Sequence, residues 1–232
     1  MSHALRSIAF VAELIHQPIQ HDPRALQKLH GELFDTTHCS YRDFRVVPGG
    51  AQMSNVIGLP GQPVSCVNLL ADRVQVREEQ TGSSRSDFQS RINELGEAVL
   101  NYLPGQAFIA QQFTVRSIVN LHSTSDSLAF VKEGLCGFSE ATMAPFPVEP
   151  SIAGLRLTFG ASEELDAIFN VRVESFAQDN QSLFLETVGT YAHGLNEENF
   201  DQLVVRFDGT YGFLQDRLLA FVGQFDGEGT EL

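Results

Sequence analysis

Ser83–Ile92, SSRSDFQSRI, and Asn196–Val205, NEENFDQLVV, decide the reading of this chain. Each is a polar run that meets a phenylalanine, Phe88 or Phe200, and opens into an amphipathic segment. Ser84 with Asp87 three residues on has the capping-box arrangement, and Asn196 is an N-cap residue type. Behind Phe88 come Ile92, Leu95, Val99 and Leu103. Behind Phe200 come Leu203, Phe207, Tyr211, Leu214, Leu218 and Phe221. Both series step by three and four, the period of a helix that lays one stripe on a sheet. Gly209 and Gly212 interrupt the second series and predict a kink near Asp208–Gly209.

Working outward, each helix is preceded by a similar order of elements. RSIAFVAELI (Arg6–Ile15) is apolar on both faces and reads as a central strand. Asp22-Pro23 then starts a helix whose stripe is Leu26, Leu29 and Leu33. Four short strand-like runs follow, separated by Pro48-Gly49-Gly50, Leu59-Pro60-Gly61 and Ala71-Asp72. In the last of them Val74 and Val76 alternate with Arg73, Gln75 and Arg77. The second half repeats the pattern. VRSIVNL (Val115–Leu121) matches the first strand, and a helix capped by Ser125 or Asp126 carries Leu128, Val131 and Leu135. Three further strands precede Asn196. The loop ATMAPFPVEPSIAG (Ala141–Gly154), with three prolines, is the one place a flap or seam fits.

The expected fold is α+β: a mainly antiparallel sheet with helices on one face and a more polar open face. It is built as two repeats, β-α-β(4)-α over 1–104 and β-α-β(3)-α over 105–223, with a disordered tail at 224–232. A tandem of such units resembles the saddle of the TATA-box-binding-protein-like fold. The alternative is a Bet v 1-like helix-grip fold, with one long helix held by a curved sheet.

Composition narrows the function classes. The chain has 232 residues, 43% hydrophobic, with 18 Phe and no Trp, and is globular in character. Its net charge is −14, unevenly spread: residues 1–116 carry 10 basic and 11 acidic side chains, residues 117–232 carry 5 and 18. Such a chain repels phosphate backbones and anionic lipid, so neither nucleic acid nor membrane is an expected partner. The acidic second half is a candidate surface for a basic protein partner. No signal-peptide pattern follows Met1 and no apolar run is long enough for a span, so a cytoplasmic protein is expected. Cys39, Cys66 and Cys136 are too irregularly spaced for a disulfide framework or a metal knuckle and read as free thiols.

Chemistry-bearing motifs are sparse. His3, His16, His21, His30 and His38 cluster early but form no HxH or HxxxH pair, so no metal site is expected. There is no GxSxG elbow and no phosphate loop. Glu78-Glu79 are neighbours on a strand and face opposite ways, which denies them joint acid–base work. One candidate binding set remains. Arg45, Arg73, Arg77, Arg116 and Arg172, with Arg156, fall at strand positions that alternation turns away from the helices. On one open face they could hold an anion through forked guanidinium contacts. Glu13, Glu79, Glu174 and Glu186 share that face, and cross-strand ion pairing is the stronger expectation.

Three stretches carry a resemblance. DRVQVREEQTGSSRSDFQSRINELGEAVLNYL (Asp72–Leu103), FTVRSIVNLH (Phe113–His122) and FDQLVVRFDGTYGFL (Phe200–Leu214) resemble a sporadically distributed, uncharacterised family of bacterial proteins. Members of that family run to roughly 250 residues, within the range of one large domain. The resemblance implies a cytoplasmic bacterial protein with no assigned activity, no cofactor and no catalytic residues to carry over. The leading functional expectation is a non-catalytic binding or interaction protein that self-associates as a homodimer through an edge strand or the open face, where Val11, Ile15, Ile118 and Phe176 want covering. The second is a small-ligand carrier with a Phe-lined pocket between the sheet and the C-terminal helix. An enzyme ranks third.

Overall fold

A computed structural model describes residues 4–59, 61–102 and 107–227. His3, Pro60, Leu103 and the end of the 224–232 tail lie outside the described residues. Nine strands form one antiparallel sheet: β1 (Arg6–His16), β2 (Asp43–Val47), β3 (Gly50–Ile57), β4 (Val64–Leu69), β5 (Arg73–Glu79), β6 (Phe108–Asn120), β7 (Gly154–Phe159), β8 (Ile168–Ser175) and β9 (Ser182–Tyr191). Their spatial order is β2-β3-β4-β5-β1-β6-β9-β8-β7. β1 and β6 therefore lie side by side in the middle, and each is flanked outward by the strands that follow it in sequence. The apolar character of β1 on both faces fits that central place.

The helices lie on one face. Helix α1 (Pro23–Phe34) begins where the Asp22 carboxylate accepts the Arg24 N–H at 3.1 Å, and Leu26, Leu29 and Leu33 are buried. Burial of each such leucine contributes about 1.5–3 kcal/mol. Helix α2 (Arg85–Tyr102) opens on a reciprocal cap: Ser84 N–H donates to Asp87 Oδ2, and Asp87 N–H donates to Ser84 Oγ, both at 3.1 Å. Phe88, Ile92, Leu95 and Val99 then fall on the buried stripe. In the second half the order is α3 (Ser127–Ala129), α4 (Glu140–Met143), α5 (Gln202–Gly212) and α6 (Leu219–Gly223). Asp126, not Ser125, caps α3, which lasts one turn and widens into a π turn over Phe130–Leu135. The buried residues there are Ser127, Phe130 and Val131 rather than the expected Leu128, Val131 and Leu135 stripe.

The C-terminal helix also departs from expectation. It does not break at Asp208–Gly209; α5 runs on to Gly212, passes through a π turn at Phe213–Leu218, and continues as α6. Gly209 is instead a contact residue. A Cβ there would meet the Tyr191 hydroxyl at 2.9 Å, and one on Gly189 of β9 would meet Thr210 Oγ1 at 2.3 Å. The two glycines let α5 lie close against β9. Nor is the start of the 224–232 segment loose. Asp226 is buried, and its carboxylate accepts the His122 and Ser123 N–H groups at 2.8 Å, tying the segment just after α6 to the loop after β6.

Aromatic side chains link the halves. Phe207 sits 5.2 Å from Phe88, 5.7 Å from Phe10 and 5.9 Å from Phe113, centroid to centroid. The chain of rings continues through Tyr191 and Phe169 to Phe213 and Phe159, at the outer edge of the second half.

Candidate functional site

Hollows lie in three regions: on the open sheet face, beside the start of helix α2, and in a groove beneath the C-terminal helix. Strand pairing brings four of the candidate arginines to the open face. Arg73 donates to Glu13 at 3.1 Å and also pairs with Asp72; Arg77 pairs with Glu79 at 2.7 Å. Arg116 donates to Glu186 at 2.6 Å, and Arg172 lies between Glu174 at 3.4 Å and Glu186 at 3.7 Å. An amide ladder crosses the same face, from Gln52 to Asn68 to Gln75 to Glu13, at 2.8, 3.1 and 2.7 Å. Around Val11 these side chains enclose a polar depression of about 270 Å³. Each of the four arginines is matched by a carboxylate, so the face offers little unspent positive charge to an anion. Arg45 stands apart on edge strand β2, exposed and without an ion pair among the described residues. Arg156 lies opposite Arg172, a like-charge pair.

Glu78 and Glu79 do face opposite ways. Glu79 joins the open-face ladder, whereas Glu78 is buried beneath α2, where it accepts from Ser65 Oγ at 2.7 Å and from Arg91. Arg91 Nε donates to the His38 carbonyl at 2.9 Å, and the cluster borders a polar cleft of about 420 Å³. A buried pair with its remaining hydrogen bonds filled clamps α2 and the loop before β2 onto the sheet. Burial pushes the Cys39 thiol up to about 12, with Glu94 adding to the effect; its Sγ donates to the Arg91 carbonyl at 3.1 Å. The early histidines act locally. His21 and His30 each donate Nε2–H to a backbone carbonyl, of Leu70 and Tyr41, at 2.8 Å. Among the described residues no group of His, Cys, Asp or Glu could hold a metal ion. No helix among them is long and apolar enough to cross a membrane.

The groove lies between the C-terminal helix and the outer strands of the second half. One chamber, of about 400 Å³, is bounded by Asp166, Phe169, Tyr191, Arg206, Gly209 and Phe213. A neighbouring chamber of about 280 Å³ is apolar, walled by Leu157, Phe159, Leu165, Val171, Leu218 and Phe221. Glu164, Leu165, Phe213 and Arg217 border both. Volumes of this size suit a small organic molecule. Phe213 stacks on Phe169 at 4.2 Å and meets Phe159 at 5.4 Å, so the partition between chambers is aromatic.

Arg206 is the residue that the sequence reading missed. It is 8% exposed, and among the described residues its hydrogen-bond partners are uncharged: Nη1 donates to Gln111 Oε1 and, at 2.8 Å, to the His193 carbonyl. Its Nε is buried with no partner. Tyr191 fixes the backbone beneath it by donating its hydroxyl to the Arg206 carbonyl at 2.7 Å, and burial pushes the Tyr191 phenol up. A signal was present. Leu203, Arg206, Phe207 and Thr210 occupy helix positions i, i+3, i+4 and i+7, so an arginine stands on the apolar stripe. Compared with known proteins, the chain matches no family model and no curated protein.

Proposed function

We propose that this protein binds a small amphipathic molecule in the groove between its C-terminal helix and strands β7–β9. The observation that carries the reading is the junction of the two chambers, one apolar and one of mixed lining that includes the Arg206 guanidinium, at the aromatic partition Phe169–Phe213. A molecule with an apolar body and a polar end has a place for each part. The open face supports the reading less, because its charges pair with one another and Ile118 is already buried at 5% exposure. The test uses the neutral fluorophore N-phenyl-1-naphthylamine. Wild-type protein is expected to enhance its emission saturably, and Leu157→Trp, which fills the apolar chamber from β7, is expected to weaken binding at least tenfold with an unchanged circular dichroism spectrum. Absence of saturable enhancement with wild-type protein sinks the proposal.

In the same reading, the chain comprises two diverged copies of one β-α-β-α unit, 1–104 and 105–223, arranged as in the TATA-box-binding-protein-like saddle. The mirrored strand order about β1 and β6 supports it. A second functional reading is contact with a protein partner, a second copy included, through the proline-rich loop. Phe146 and Val148 there are 62% and 75% exposed. Light scattering after size exclusion tests self-association, and a strict monomer at all concentrations counts against that form of it.

A further inference from the structure

We infer that the ligand of the groove carries an anionic group, a carboxylate or sulfonate, which is held by Arg206. The inference rests on the groove being a binding site and adds the chemical class of what it binds.

Arg206 is more than nine-tenths buried and lines the larger, mixed chamber. A guanidinium has five N–H donors and a permanent charge. Here its neighbours within hydrogen-bond distance are an amide oxygen and a backbone carbonyl, and Nε has none. No carboxylate lies within 4.0 Å of it among the described residues. The half-buried Arg91 gives the contrast within the same molecule, since it is paired directly with the buried Glu78. A buried charge without a counter-ion is unfavourable, and the protein retains it where something else supplies the opposite charge.

The surrounding groups favour an anion at depth and not at the rim. Glu164, Asp166 and Asp216 border the mixed chamber but are exposed, and Asp166 faces His193 Nε2 at 3.0 Å. Water screens these carboxylates, whereas the guanidinium sits against the Tyr191 ring, 5.8 Å from its centroid. An anionic head at Arg206 would leave the ligand's apolar body against Phe169 and Phe213, next to the apolar chamber.

Two probes of similar shape test this: neutral N-phenyl-1-naphthylamine and anionic 8-anilinonaphthalene-1-sulfonate. Wild-type protein is expected to bind the anion at least fivefold more tightly than the neutral probe. Arg206→Gln should weaken the anion at least tenfold and the neutral probe less than twofold. Should Arg206→Gln fail to fold, Gln111→Glu supplies the missing counter-ion from inside the protein. It should raise the melting temperature and abolish the preference for the anion. If the neutral probe binds and the anion has no advantage, or keeps its advantage in Gln111→Glu, the inference is overturned and the groove stands. If the neutral probe does not bind wild-type protein, the groove itself is refuted and the inference falls with it.

Discussion

Phe207→Ala tests the central claim about how the two halves hold together. The Phe207 ring has no solvent exposure and lies against Phe10, Phe88 and Phe113 at 5.7, 5.2 and 5.9 Å. Removing a buried phenylalanine ring costs about 3–5 kcal/mol, the upper end applying where the walls cannot collapse. These walls belong to β1, α2 and β6, anchored in one sheet, so collapse is limited. That measured range already contains the lost ring–ring contacts, so they are not added to it. Alanine's helix propensity returns about 0.5 kcal/mol. The expected net loss is about 4 kcal/mol, which at a urea slope of about 2–3 kcal/mol/M lowers the midpoint by about 1.5 M. Phe10 and Phe88 come from the first half and Phe207 from the second, so the loss must register in both. Native-state hydrogen exchange should show β4–β5 and β8–β9 amides losing protection together. A shift below about 1 kcal/mol would refute the packing argument. Loss confined to β8–β9 would refute the coupling of the halves.

Gly189→Ala places a Cβ 2.3 Å from Thr210 Oγ1 and 3.1 Å from Phe169 Cε1. Overpacking of this kind costs about 1–3 kcal/mol, and a thermal melt indistinguishable from wild type would contradict the close seat of α5 on β9. His16 is 1% exposed, with Nδ1–H donating to the Gln17 carbonyl at 2.8 Å and Nε2 unpartnered, and burial lowers its pKa from the ordinary 6.5. The unfolded chain therefore takes up a proton first as pH falls, and this site's stability is lost progressively below pH 6.5. His16→Gln should flatten the decline of the urea midpoint between about pH 7 and pH 5.5, and an equal decline in both proteins would discount His16. Cys39 is fully buried with its thiol pushed up to about 12, and Cys66 is buried and raised, while Cys136 is only half-buried. Ellman's reagent should modify Cys136 first and Cys39 only after unfolding; rapid labelling of Cys39 in native protein would contradict its burial.

Local signals carried far in this chain. The caps at Asp22, Ser84, Asp126 and Asn196 each hold the N–H that their residue type promises. Alternation also put Arg73, Arg77, Arg116 and Arg172 on one face, because a strand's period of two is a property of the backbone. Which carboxylate meets which arginine depends on register, as in the alignment of Arg116 and Arg172 with Glu186, and register is set by packing across the whole sheet. The π turns were illegible for a similar reason. Gly209 and Gly212 look like helix breakers, yet the irregularity falls after them, at Phe213–Leu218, where Leu219 N–H reaches back to the Leu214 carbonyl. No side-chain propensity distinguishes that bond from an ordinary helical one, so tertiary packing chooses its position. The groove shares this property, since its walls come from β7, the 164–166 loop and the C-terminal helix together.

The groove arises where the halves differ. In the first half, a twelve-residue helix lays Leu26, Leu29 and Leu33 over the outer strands β2 and β3. In the second half, the element that follows the central strand is a three-residue helix and a six-residue π turn, which bury Ser127, Phe130 and Val131. A shorter element covers less of β7 and β8, and Leu157, Phe159 and Val171 are left to the C-terminal helix. That helix widens at the same level. A π turn adds a residue to the helical circuit and changes the direction of the side chains that follow it, and such turns recur at functional sites. Here the turn begins with Phe213, the partition between the chambers, and ends with Leu218, a wall of the apolar one. Lengthening the short element would cover the strands and fill the space. Its brevity, the π turn and the uncompensated Arg206 all fall on the second half of the sheet, and that coincidence supports reading the space as a site rather than a packing defect.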